Sequence, residues 1–195
     1  MNKFEFPVAV YGNIEKYNDV LSKARCRIFY KYGNRNGTYI TDEFAEKLLE
    51  TLPYAPVKGI YEYDDYTDHG SRRSEGRICG IVPENPNISW EPHLDEDGVE
   101  RTYACADVLI FTALYAEAGD IVGKSQSMEL YEPSLKYHQA IYDGQKFIVF
   151  DEGCFLGLQV LGDDVEPCFE GSSITAPNIS KTFSLDDNYK NTLFS

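Results

Sequence analysis

The sequence predicts a mostly β domain with a few flanking helices, and three observations carry that expectation. Asn36-Gly37, Asp97-Gly98 and Asp143-Gly144 are turn dipeptides, and each sits between segments rich in β-branched and aromatic residues. Residues 125–130, Ser-Gln-Ser-Met-Glu-Leu, alternate polar and apolar side chains with the period of two that a half-buried strand requires. Only one stretch, residues 40–53, carries a full helical signature. At 195 residues with 43% hydrophobic side chains, the chain can bury one good core.

Taken in order, residues 14–33 begin with mixed character and turn strand-like from Cys26 to Tyr32, after which Asn36-Gly37 closes a hairpin. In the helix that follows, Thr41 is placed to cap and Asp42 and Glu43 suit the positive end of the first turn. Phe44, Leu48 and Leu49 share one face, and Pro53 lies just past the end. "APVKGIYEY" and "GRICGIVPE" read as strands around a polar loop that contains His69. Asp97-Gly98 joins a strand near Trp90 to the run from Tyr103 to Phe111. A second helix is expected within "TALYAEAGDIVG", ending at Gly119 or Gly123. Strands resume at "SQSMEL", at "HQAIYDGQKFIVF" and at "CFLGLQVLGDDVEPC"; the Ser-, Thr- and Asn-rich tail lacks periodicity. There is no internal repeat.

Charge and cysteine usage exclude several functions. A net charge of −14, spread along the chain, repels nucleic-acid phosphates and anionic membranes, and the basic clusters "KARCR" and Ser71 to Arg73 are too short to reverse that. No run approaches the roughly 18 apolar residues of a membrane span. The five cysteines are odd in number, widely spaced and without a CxxC pair, which points to a reducing compartment. Three histidines at non-ligating spacings give no metal site, and nothing in the sequence calls for a cofactor.

The chemistry candidates gather around residues 125–130. Ser125, Ser127 and Glu129 share one strand face while Met128 and Leu130 take the other. Such serines ordinarily belong to a solvated face. Glu129 lies about 7 Å along the strand from Ser127 and reads as a rim charge. His93, beside the Asp97-Gly98 turn, reads as an exposed histidine.

In combination, "DYTDHGSRRSEGRICGIVPE", "SQSMEL" and "FLGLQVLGDDVEPCFEG" resemble the prohead (capsid maturation) proteases of tailed bacteriophages, from about Cys26 through Gly171. The resemblance implies a serine protease of the herpesvirus-assemblin type: a herpesvirus-protease-like β-barrel surrounded by a few helices, an α+β fold with histidine preceding serine. Residues 1–25 would be an N-terminal arm or helix, 26–171 the barrel domain, and 172–195 an extended arm or linker to a scaffold segment. Ser125 and Ser127 point the same way and compete as nucleophile; the resemblance matches Ser127 to that role and His69, 58 residues earlier, to the general base. A serine hydroxyl needs such a base, and the base needs a third group to fix its tautomer. The family's strand glutamate is replaced here by Gly157, so Glu152, 25 residues after Ser127, is the preferred third member, followed by Asp151 and His138. Gly70 and Gly157 could lend backbone amides to an oxyanion hole.

The substrates implied are phage major capsid protein and scaffold segments, with the chain itself, cut inside the assembling prohead in the host bacterial cytoplasm. A homo-oligomer is left open. The alternative is a non-catalytic scaffold or minor capsid protein that keeps the protease fold.

Overall fold

The computed structural model describes residues 15–69 and 76–175; expectations that fall on residues 1–14, Gly70, Ser71 to Arg73 or the tail after Thr175 lie outside the described residues. The strands are β1 (Glu15–Lys16), β2 (Ser22–Tyr30), β3 (Tyr32–Gly33), β4 (Thr38–Ile40), β5 (Pro56–Gly59), β6 (Tyr61–Glu62), β7 (Asp65–Tyr66) and β8 (Arg77–Ile81). They continue with β9 (Ser89–Leu94), β10 (Glu100–Ile110), β11 (Gln126–Leu130), β12 (Lys136–Tyr142), β13 (Gln145–Glu152), β14 (Phe155–Val160) and β15 (Ser173–Thr175). One α-helix, α1 (Asp42–Glu50), and two 3₁₀ helices, Ala116–Ile121 and Glu132–Ser134, complete the described elements.

The main sheet has nine strands in the order β1-β2-β10-β8-β5-β14-β11, with β15 also paired to β2 and β9 to β10. A second sheet runs β12-β13-β4-β3, and β6 and β7 form a small hairpin. Most pairs are antiparallel, but β14 runs parallel to β5 and β13 parallel to β4. The sheets are open and mixed, so the closed barrel expected from the resemblance is not found. The β11 edge reaches β15 through one isolated bridge, Ser125 to Ser173, where a barrel would need a full ladder. Hydrogen bonds from Ile174 N to Lys124 O (3.0 Å) and from Gln126 N to Ser172 O (3.2 Å) flank that bridge.

Burial explains the strand sequences. β2 and β10 are covered on both faces, so each reads as a nearly continuous apolar run, from Ala24 to Tyr30 and from Tyr103 to Ile110. Two of the exceptions pair with each other, since Arg25 is buried against Asp107 at 2.9 Å and also meets Glu91 at 2.6 Å, while the third, Arg27, donates to Gly171 O and Ser173 Oγ. Phe29 anchors an aromatic core, with the rings of Trp90, Phe155 and Phe169 at 5.8, 6.5 and 6.2 Å.

The helix begins as its sequence predicts. Thr41 Oγ1 accepts a hydrogen bond from Phe44 N at 3.1 Å, and Phe44, Ala45, Leu48 and Leu49 are buried. Gly37, Gly98 and Gly144 turn their hairpins with φ of 70°, 78° and 79°, the left-handed backbone that glycine adopts without penalty. The second expected helix is only the 3₁₀ segment Ala116–Ile121; a glycine in mid-run and six residues leave too little to repay nucleation of an α-helix. β2 begins at Ser22 and so crosses the expected domain boundary after residue 25, while β15 lies in the expected C-terminal arm yet pairs with β2. No helix among the described residues is long and apolar enough to cross a membrane.

Candidate active site

Strand register assembles a polar row on one face of the main sheet. On β11, Ser127 stands opposite Gln159 of β14, and Gln159 in turn stands beside Lys58 of β5. Residues opposed in register point to the same face, so Ser127, Gln159 and Lys58 form a line across three strands. Glu129, two residues beyond Ser127, occupies the next position on that face, opposite Gly157. The row is largely withdrawn from solvent: Ser127 is 8% exposed and Gln159 1%.

The loop carrying His69 is brought to this row by the β6-β7 hairpin. Its turn residues Tyr63 and Asp64 both have left-handed backbone (φ 53° and 67°), which reverses the chain within two residues. Thr67 N then donates to Ile60 O at 2.9 Å, and Asp68 Oδ1 accepts from His69 N at 2.6 Å, fixing the approach of the histidine. The imidazole Nδ1 lies 3.2 Å from Glu129 Oε1. The other carboxylate oxygen, Oε2, is 2.8 Å from Lys58 Nζ; this is an ion pair out of line for a hydrogen bond, since the buried Oε2 accepts none. Glu129 therefore lies between a histidine and a lysine.

The electrostatics follow. Burial pushes the Glu129 carboxyl up, but the His69 and Lys58 contacts outweigh it and hold the group below the usual glutamate range. A carboxylate facing Nδ1 keeps the proton on that nitrogen and leaves Nε2 as the basic one. Nε2 makes no hydrogen bond among the described residues, and none joins His69 to Ser127. What the arrangement offers is an oriented imidazole beside the strand that carries a buried serine.

The other sequence candidates are placed elsewhere. Glu152, expected as the third member, ends β13 in the second sheet, 56% exposed and 2.8 Å from Lys136. It touches neither His69 nor Ser127, because the chain between Ser127 and Glu152 leaves the main sheet through β12 and β13. Asp151 and His138 lie on the same hairpin and contact each other at 2.9 Å. His93, expected to be exposed, is half-buried, with Nε2 3.8 Å from Asp95 Oδ1. Burial first, and then the neighbouring Arg27, lower its basicity. Ser125 lies at the Ser173 bridge, and its carbonyl accepts from Leu161 N at 2.9 Å. Gly157 packs against Pro56, so close that a Cβ there would stand 3.0 Å from the Pro56 carbonyl oxygen.

Sequence reasoning missed Lys58 and assigned Glu129 to the rim. The signal for Lys58 was a lone charge between Val57 and Gly59 in an otherwise apolar strand, a position that calls for a counter-ion. Two cavities, of about 240 and 430 Å³, are lined by Tyr61, Tyr66, Arg77 and Glu117 and by Tyr32, Tyr39, Tyr142 and Phe147; neither is lined by Ser127 or His69. No cluster of three or more potential metal ligands exists among the described residues.

Comparison with known families gives a match over most of the chain. The model of the YonD N-terminal domain family matches residues 20–194, and the chain belongs to that family. No curated protein and no solved structure matches it.

Proposed function

We propose that this member of the YonD N-terminal domain family is a serine endopeptidase, with Ser127 as nucleophile, His69 as general base and Glu129 as the group that orients the imidazole. The observation that carries the reading is the contact of His69 Nδ1 with Glu129 Oε1, made on the strand face that also holds Ser127. The resemblance to prohead proteases lacks its strand glutamate at Gly157, and the register sets Gly157 directly opposite Glu129. A carboxylate moved one strand sideways would serve the same imidazole.

In this mechanism His69 Nε2 takes the proton from Ser127 Oγ as the hydroxyl attacks the scissile carbonyl. Glu129, kept ionised by Lys58, stabilises the imidazolium that forms. The imidazolium then protonates the departing amine, and a water activated by the same nitrogen hydrolyses the acyl-enzyme. His69 is 41% exposed on a loop, and approach of a peptide would bring its ring to Ser127, since such contacts tighten on substrate binding. The substrates are extended segments of phage scaffold and capsid protein, together with the chain itself, processed inside the prohead in the host cytoplasm.

A second reading, a structural capsid or scaffold module that has lost catalysis, is favoured by the absence of a hydrogen bond between His69 and Ser127. A fluorophosphonate probe separates the two. Labelling of the wild type at Ser127, with loss of both labelling and precursor processing in Ser127→Ala and retention in Ser125→Ala, supports the enzyme. Complete processing by Ser127→Ala would sink it.

A further inference from the structure

Among the described residues, the second sheet ends in an unguarded edge. β12 is its terminal strand, seven residues long, and its residues are exposed except for the half-buried Ala140. Exposed edges invite pairing with another chain, and proteins usually blunt them with proline or charge. This chain does so at β9, which pairs with β10 alone and carries Glu91 and Pro92 in mid-strand. β12 has no proline, and between Lys136 and Asp143 its one ionisable side chain other than tyrosine is His138, which is already engaged by Asp151. Tyr137 and Ile141 project from it with 61% and 71% exposure.

We infer that β12 is a dimerisation edge, pairing antiparallel with β12 of a second copy of this chain about a two-fold axis at Gln139. Symmetry restricts the register. A two-fold axis through an antiparallel pair must place one residue opposite itself, because only then do opposed side chains share a face. Centring on Gln139 is the one choice that pairs all seven residues of β12. It sets Tyr137 opposite Ile141 of the second copy, twice, and aromatic residues against β-branched ones are favourable cross-strand partners.

The chain's net charge of −14 opposes self-association in general, but the hairpin 136–152 is nearly balanced, with two lysines against three acids. Joined in this way, two four-stranded sheets become one of eight strands. The inference is independent of the protease reading, since no residue of β12 lies beside Ser127 or His69.

The experiment measures solution mass by light scattering after gel filtration, over a wide range of protein concentration. The expected result is twice the 22.2 kDa chain mass. Tyr137→Lys combined with Ile141→Lys opposes like charges and should weaken the dimer by roughly tenfold or more, while Tyr137→Lys combined with Ile141→Glu should restore it. Gln139→Cys places two thiols about 4.5 to 5.5 Å apart between Cα atoms, within disulfide range, so oxidation should link the copies. Tyr137→Cys, about 13 Å from its own symmetry mate, should not link. A monomer at every concentration overturns the inference, and so does a dimer that Gln139→Cys fails to crosslink.

Discussion

Replacing Glu129 by glutamine tests the proposed site most directly. The carboxylate makes two contacts, 3.2 Å to His69 Nδ1 and 2.8 Å to Lys58 Nζ. An amide of the same shape has one acceptor and one donor, so it can satisfy only one of them. With its oxygen toward His69, its NH2 would face the Lys58 ammonium, donor against donor. The favoured rotamer turns the oxygen to Lys58 and the NH2 to Nδ1, which places the imidazole proton on Nε2, where it cannot accept the proton of Ser127. Asparagine in place of the triad aspartate of chymotrypsin-type proteases produces this wrong tautomer at a cost of about 10⁴ in rate. We expect roughly 10³ to 10⁴ here, about 4 to 5.5 kcal/mol of barrier. Glu129→Asp retracts the carboxylate by about 1.5 Å, stretching the His69 contact beyond hydrogen-bond length, and should cost about 10². The assay is the rate at which a fluorophosphonate adds to Ser127, followed by intact mass, with thermal melting in parallel because loss of the carboxylate leaves the partly buried Lys58 ammonium without its counter-charge. A folded Glu129→Gln protein that labels at the wild-type rate refutes the assignment. Loss of labelling in Glu152→Gln instead would return the role to the second sheet.

Three further outcomes follow from the fold. Thr41→Ala removes the acceptor for Phe44 N and should lower unfolding free energy by about 1 kcal/mol in a denaturant titration, with an unchanged slope. Asp97, drawn down to about 2 chiefly by its hydrogen bonds from Arg101, contributes stability that is present above the unfolded carboxyl range near pH 4 and is lost as pH falls through about 2. The melting difference between wild type and Asp97→Asn should therefore shrink toward zero on acidification. Burial pushes the Cys79 and Cys105 thiols up to about 12, so in the native protein they should resist a thiol reagent, and all five cysteines should react once guanidinium unfolds the chain.

Local chemistry was legible in the sequence where it is decided locally. The three turn dipeptides and the Thr41 cap depend on neighbours within a few positions, and each is found where the sequence predicts it; residues 126–130 do form a strand, but both Gln126 and Ser127 are buried, so the wet face that the alternation predicts is absent there. The second helix failed because its apolar spacing held for only a few residues on either side of Gly119. Strand order was not legible: β5 beside β14, about a hundred residues apart and parallel, obeys no short-range pattern. For the same reason, the alternation exposed Ser127 and Glu129 as sharing a face, but not that a loop sixty residues earlier would deliver a histidine to the second of them. Distance in sequence similarly made Glu152 a reasonable partner until β12 and β13 carried it onto another sheet.

The pairing of β15 with β2 also sets a schedule for synthesis. Arg27 meets Ser173 across this pair, so β2 leaves the ribosome 146 residues ahead of its last partner. At roughly 5 to 20 residues per second, that stretch of its outer edge waits about 7 to 30 s without its final neighbour. β10 arrives midway and covers the opposite edge, leaving Arg25 to Arg27 unpaired on one side until nearly all of the described chain has emerged. The nascent chain thus carries an open β edge for most of its translation, and its yield on expression should depend on elongation rate and on chaperones that shield extended strands, more than on the modest thermodynamic contribution of three residue pairs.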